Sequence, residues 1–256
     1  MTEVSNPFGS APMARRYARG RRYYQDKALD LALGAAQADP AGLALDIACG
    51  TGLSTWALLE RAHRVVAFDV SPAMLAQAPR FPGAHYLVAP AERIPLRDAT
   101  ADLATVGAAF HWFDQSAVFA ELARVLRPGG GLAVYSDFFL GRIEDVPDFT
   151  TWFEQTYLRR YPTPRRHGHF DPGAAVAAGF TEVTSKQAEF PVPLTLRQLT
   201  DFLLSQSNAG AAIESGTTTE ERLAEALAQE LAQFFPDGGT TRVLYGIRTW
   251  TSTRRP

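Results

Sequence analysis

The chain has a single cysteine, Cys49, in 256 residues. No intrachain disulfide can form, so stability must come from packing, and a reducing compartment is the simpler expectation. No run of eighteen apolar residues occurs, and residues 1–7 lack the charged-then-apolar pattern of a secretion signal. A membrane span is therefore not expected, and the expected location is cytoplasmic. An excess of charge of one sign is missing too, because 25 basic residues face 27 acidic ones for a formal net charge of −2. That balance gives no overall pull toward phosphate backbones or anionic bilayers, so a small-molecule substrate is expected, with neither nucleic acid nor membrane as partner. No G-x-S-x-G elbow is present, which leaves hydrolase chemistry unsupported. His167, His169 and Asp171 have a metal-like spacing, but no further ligand cluster accompanies them and no metal is expected. Oligomeric state is left open.

What is present is 46% hydrophobic residues, enough for a full core. From 43 to 137, short β-rich runs alternate with helical patterns, the signature of a parallel sheet with crossover helices. Strands are expected at 43–47, 64–68, 84–88, 102–106 and 132–136. Helices are expected after Gly52, with Leu53, Trp56 and Ala57 on the buried face, after Ser71-Pro72, and after Asp114, with Val118, Leu122 and Val125 inward. The last of these helices should stop at Pro128-Gly129-Gly130-Gly131. A helix over 21–37 should precede the sheet, ended by Asp39-Pro40. Beyond Asp137 the rhythm changes, and Pro147, Pro162, Pro164 and Pro172 interrupt an aromatic- and Arg-rich stretch that reads as an inserted cap. Alternation predicts strands at 181–190 and 242–251, and helical spacing predicts helices at 196–206 and 220–235.

The strongest local signal is Leu45-Asp46-Ile47-Ala48-Cys49-Gly50-Thr51-Gly52, where the first strand turns into the first helix. Gly50 and Gly52 remove side chains where backbone must approach a ligand, and glycine tolerates the positive φ of such a turn. A dinucleotide site would need G-x-G-x-x-G and a free helix N-terminus for a pyrophosphate, but Thr55 stands where the third glycine would be. Asp46 suits a cationic ligand group such as the ammonium of a methionine moiety and would repel a pyrophosphate. Asp69, at the end of the next strand, can accept both hydroxyl hydrogens of a ribose. Read singly, Asp46 is also a turn cap and Asp69 an ordinary strand-end residue.

With LDIACGTG, VVAFDVSPAML, PAERIPLRDATADLATVGAAFHWFD and LARVLRPGGGLAVY in order, the chain resembles the class I S-adenosylmethionine-dependent methyltransferases, in particular the methyltransferase-11 or trans-aconitate methyltransferase-like subfamily. The resemblance covers almost the whole chain. It implies a Rossmann-like α/β fold, with a seven-stranded mostly parallel sheet, an antiparallel last strand, helices on both faces and a mainly helical cap. It divides the chain into an N-terminal lid and helix over 1–40 and a methyltransferase domain over 41–256, with cap insertions at about 138–178 and 195–240. It implies S-adenosylmethionine as cofactor. Asp46, Ala48, Gly50 and Gly52 would surround the methionine part, Asp69 the ribose, and Val70 the adenine, with Ala91 and Glu92 at the adenine amino edge. Cys49, Met74 and Phe110 join these cofactor residues, and Tyr17 and Arg21 would fold over it as part of the lid. The chain departs from the family pattern at Ala48, where a glycine is common, and at Pro90, where an aspartate is.

Phe110-His111-Trp112-Phe113 follows strand four, at the edge of the sheet where ligands sit in open α/β folds. His111 is the candidate catalytic base or orienting residue, and Trp112 and Phe138 are candidate substrate contacts, with Tyr157, Tyr161 and Phe202 as further wall residues. The alternative for His111 is a hydrogen-bonded scaffold role, with the aromatics as core. The expected activity is methyl transfer to a small acceptor, a carboxylate or hydroxyl, by in-line displacement. The competing readings are a non-catalytic binder of S-adenosylmethionine or S-adenosylhomocysteine, and an NAD-dependent oxidoreductase.

Overall fold

Parallel strands need long crossovers, and the first half of the chain supplies one after each strand. In the computed structural model, residues 8–34, 40–164, 169–235 and 238–256 are described. The strands are β1 (Ala41–Ile47), β2 (Ala62–Asp69), β3 (Ala84–Val88), β4 (Ala101–Gly107), β5 (Leu126–Ile143), β6 (Thr184–Thr195) and β7 (Thr240–Thr253). They form one seven-stranded sheet in the order β3-β2-β1-β4-β5-β7-β6. β1 pairs in parallel with β2 and β4, β2 with β3, and β4 with β5. β7 reverses direction: Gly129 and Gly130 exchange backbone bonds with Arg254 at one end, while Glu144 N donates to the Arg242 carbonyl at the other. The strand order turns back between β1 and β4, so the carboxyl ends of those strands open the crevice where ligands sit in such sheets.

Contacts divide the chain into two compact units. The first comprises Tyr23–Asp137, Arg166–Ala188 and Ile247–Pro256. Its core sets Leu45, Ile47, Phe68 and Val106 from the strands with Val118, Phe119, Leu122 and Val125 of α5 (Gln115–Val125), all fully buried. Each such side chain contributes about 1.5–3 kcal/mol by leaving water. The expected inward face of α5 is the observed one. The helix ends at Val125, earlier than the Pro-Gly run suggested, because Leu126 already pairs with Ala101. Register then jumps to Leu103 opposite Gly131, so residues 127–130 bulge out, as suits a proline with no N–H and Gly129 at φ 78°.

The helix after β1 (Leu53–Leu59) also differs from expectation. Its buried residues are Ser54, Thr55, Ala57 and Leu58, while Trp56 is 45% exposed and stacks on Tyr23 with centroids 4.4 Å apart. The hydroxyls at 54 and 55 turn inward toward a buried carboxylate, which rotates the helix away from the purely apolar solution.

Of the expected helix over 21–37, the stretch Gln25–Leu33 (α2) is helical, and a separate helix, Ala11–Gly20 (α1), precedes it beyond an extended Arg21. Gln37 and Asp39 lie outside the described residues, as does His167. β5 runs seven residues past the expected end at Ser136, because its far half pairs with β7.

The second unit comprises Met1–Arg22, Phe138–Arg165 and Glu189–Gly246. It holds the helices Pro147–Trp152, Leu158–Arg160, Leu196–Leu204, Ser207–Glu214 and Glu220–Leu231, with a π turn at Phe153–Tyr157. The π turn lies in an aromatic cluster in which the Phe139 ring meets Phe149, Phe153, Phe202 and Tyr245. α1 belongs to this unit. Its Arg16 is 3% exposed and reaches Glu220 at 3.2 Å, while Arg19 bonds both Asp201 and Glu220 at 2.8 Å. The basic run of the sequence is thus partly spent on internal ion pairs. At Gly20 an added Cβ would overlap the Asp201 carbonyl and lie 2.7 Å from Ser205 Cβ. Gly20→Ala is expected to destabilise the chain by about 1–3 kcal/mol, through overpacking against rigid backbone. The check is a lower thermal midpoint together with faster proteolysis within residues 11–22; an unchanged midpoint would show that α1 is not held at this contact.

Candidate cofactor and acceptor site

The turn after β1 is built on left-handed backbone. Ala48, Gly50 and Gly52 have φ of 54°, 56° and 80°. A Cβ at Gly52 would also fall 2.8 Å from the Tyr86 hydroxyl. The alanine at 48 carries strain of the kind stored at ligand sites, and Ala108, past the end of the adjacent β4, repeats it at φ 49°. Cys49 N donates to the Phe68 carbonyl at 3.1 Å, zipping the turn to β2. The Cys49 thiol is buried, and burial pushes its pKa up, which disfavours the thiolate.

Asp46 is fully buried at the end of β1. Its Oδ2 accepts bonds from Ser54 Oγ at 2.8 Å and Thr55 Oγ1 at 2.6 Å. Among the described residues, Oδ1 has no hydrogen-bond partner. Burial outweighs the two hydroxyl donors and pushes the carboxyl up to about 7.

Asp69 is half-buried at the end of β2. Gly50 N donates to its Oδ2 at 2.9 Å and Ser71 N to its Oδ1 at 2.8 Å, so the glycine turn and the next helix cap converge on one carboxylate. Burial raises its pKa and the amide donors work against that rise. Ser71 Oγ accepts from Met74 N at 3.2 Å and caps the short helix Pro72–Leu75. Met74 is buried against the turn, its Cε 3.2 Å from where a Gly50 Cβ would stand. Beside the carboxylate, Val70 and Val88 are 57% and 60% exposed, an apolar shelf at the ends of β2 and β3. Ala91 is buried, and Glu92 Oε1 accepts from Asp114 N at 3.3 Å, tying that loop to the start of α5.

Past β4, Ala108 N donates to the Tyr135 carbonyl at 2.8 Å, and Phe110–Trp112 form a 3₁₀ turn. Phe110 is buried and packs against Phe113, Phe119 and Phe170, so most of its surface belongs to the core. His111 is half-buried, its ring 4.8 Å from that of Trp112. It lines a cavity of about 70 Å³ with Phe110, Val134, Tyr135, Ser136, His169, Phe170 and Trp250. Sequence reasoning missed Ser136 and Trp250 as lining residues and saw His169 only as half of a metal-like spacing. They come from three segments that only the fold brings together.

The remaining candidates lie in the second unit. Arg21 lies over the rings of Tyr17 and Phe202, at 4.8 and 5.3 Å. Phe138 covers Gly246, where a Cβ would meet its ring at 2.5 Å. Tyr157, Tyr161 and Phe202 are each at most 7% exposed within the aromatic cluster. Among the described residues no helix is long and apolar enough to cross a membrane.

Fold and site together define a Rossmann-like methyltransferase scaffold, and comparison with known proteins agrees. Residues 45–134 match the family described as methyltransferase domain. An uncharacterised methyltransferase of Mycobacterium tuberculosis is 35% identical over 209 residues, covering 80% of this chain and 78% of that protein. A malonyl-[acyl-carrier protein] O-methyltransferase of Serratia marcescens is 32% identical, over 58% of this chain and 61% of its own length. Among solved structures, a type II methyltransferase from Anaeromyxobacter dehalogenans superposes with a TM-score of 0.70 at 28% identity, covering 92% of this chain and 98% of that one. The chain belongs to the class I S-adenosylmethionine-dependent methyltransferases.

Asp46 gives the ligand-free protein a pH dependence of definite sign. Unfolded, its carboxyl titrates near pH 4, and folded near 7, so between those values the folded state binds more protons and stability falls as pH rises. Asp46→Asn is expected to remove that component. Comparing thermal midpoints at pH 5.5 and 8 checks it: the variant should gain stability relative to the parent at the higher pH, and a parallel pair of profiles would refute the raised pKa.

Proposed function

We propose that the protein transfers the methyl group of S-adenosylmethionine to an oxygen of a small-molecule acceptor. The observation that carries this reading is the double anchoring of Asp69. Each carboxylate oxygen has room for about two hydrogen bonds, and one on each is taken by Gly50 N or Ser71 N. The remaining sites suit the two hydroxyls of a ribose. The exposed Val70 and Val88 shelf suits the apolar face of an adenine. The orphaned Oδ1 of Asp46 fits a nearby ammonium, which would favour the charged carboxylate that burial disfavours. The set Asp46, Ala48, Cys49, Gly50, Gly52, Asp69, Val70, Met74, Ala91, Glu92 and Phe110 therefore stands as the proposed cofactor site of this unit. Two carboxylates flanking the turn disfavour a pyrophosphate, which argues against a dinucleotide.

The cofactor supplies a methyl group already activated by its sulfonium sulfur. What is left for the chain is to hold donor and acceptor in line and exclude water. Trp112 supplies apolar surface beside His111. The His111 imidazole accepts the proton of a hydroxyl acceptor or donates a hydrogen bond to a carboxylate one. An oxygen acceptor is favoured because the relative from Serratia marcescens is an O-methyltransferase.

Asp69→Ala is expected to weaken S-adenosylhomocysteine binding at least tenfold, on the order of the 1.5–3 kcal/mol of hydrogen bonds to a charged group. Titration calorimetry reads this, and unchanged affinity would remove Asp69 from the site. For His111→Asn, labelled methyl transfer into a metabolite extract should fall much further than cofactor affinity does; equal losses would assign the histidine a structural role.

A further inference from the structure

The cavity next to His111 has walls of two kinds. Phe110, Val134, Phe170 and Trp250 are apolar, whereas Tyr135, His111, Ser136 and His169 carry polar groups. Imidazole N–H and serine O–H can all donate hydrogen bonds. Among the described residues, no Asp, Glu, Lys or Arg side chain lines the space. A cationic ligand would find no countercharge there, and a dianion would face four apolar walls without a full cation. A planar monoanion fits both, with its oxygens on the donors and its stem between the rings. At about 70 Å³ the space takes a carboxylate and one or two carbons.

The wall that carries His169 is held in place. The Gln115 side chain bonds the backbone on both sides of Phe170: its Nε2 donates to the His169 carbonyl at 2.7 Å, and its Oε1 accepts from Asp171 N at 2.9 Å. Phe170 is anchored against Phe110 and Trp250, each with centroids 5.1 Å away. Asp171 caps the next helix (Pro172–Ala177) through Gly173 N and Ala174 N. One amide at the start of α5 thus sets the position of a histidine 54 residues away in the chain.

We infer that this cavity is a carboxylate-binding subsite that selects acidic acceptors, with Ser136 and His169 as its donors beside His111 and Gln115 as the residue that positions His169. The inference rests on the methyltransferase reading, since it names the acceptor class of the same site.

The test uses the full chain with saturating S-adenosylhomocysteine, following histidine ring signals by NMR during titration with propionate, propionamide and inorganic phosphate. Propionate should shift the His111 and His169 signals saturably, and propionamide should bind roughly tenfold more weakly. Ser136→Ala and His169→Asn should each weaken propionate roughly three- to tenfold while S-adenosylhomocysteine affinity holds. Gln115→Ala should lower the ratio of propionate to propionamide affinity, which a general loss of stability would not move. Equal binding of acid and amide, tighter binding of phosphate, or no shift at either histidine overturns the subsite. Failure of the unsubstituted chain to bind S-adenosylhomocysteine would overturn the cofactor reading instead, and the propionate titration on the free chain would still decide the subsite.

Discussion

Two backbone amides, Gly50 N and Ser71 N, meet on the carboxylate of Asp69, and the geometry of the site follows from that meeting. A half-buried carboxylate without donors would be costly to keep charged. With them it ties the turn after β1 to the cap after β2, at the point where the strand order reverses. The left-handed backbone at Ala48, Gly50 and Gly52 is what allows Gly50 N to point there.

Asp46 works by the opposite logic. It is buried deeper, satisfied on one oxygen and, among the described residues, orphaned on the other, so burial disfavours its charged form. Ser54 and Thr55 bury their hydroxyls to serve it, which is why the first turn of that helix is polar inside and Trp56 faces solvent. The site is therefore paid for partly by the helix that follows it.

Much of the sheet unit was legible in the residues. Strand three came out at its observed bounds, and α5 at its observed buried face, because apolar spacing reports burial on a regular element directly. The misses share a cause. Trp56 was assigned inward by a rule that ignores hydroxyls bonded to a buried acid. The far half of β5, past the expected end at Ser136, pairs with β7, an agreement between segments about a hundred residues apart. The glycine turn, Asp69 and His111 are legible as candidates because they are local to strand ends. That Ser136, His169 and Trp250 line one cavity is not legible, since they meet only through the fold.

By itself, the order of residues determined the strand-and-turn grammar: which carboxylates end strands, which glycines free the backbone, and the family those motifs mark. Tertiary structure alone decided which oxygen of Asp46 is left bare, which arginines of the N-terminal run are spent on Glu220 and Asp201, and which side chains share a cavity with His111. The physical reason is range. Backbone geometry and burial periodicity act over a few residues, whereas hydrogen-bond satisfaction and packing are settled between groups that the chain brings together only once it has folded.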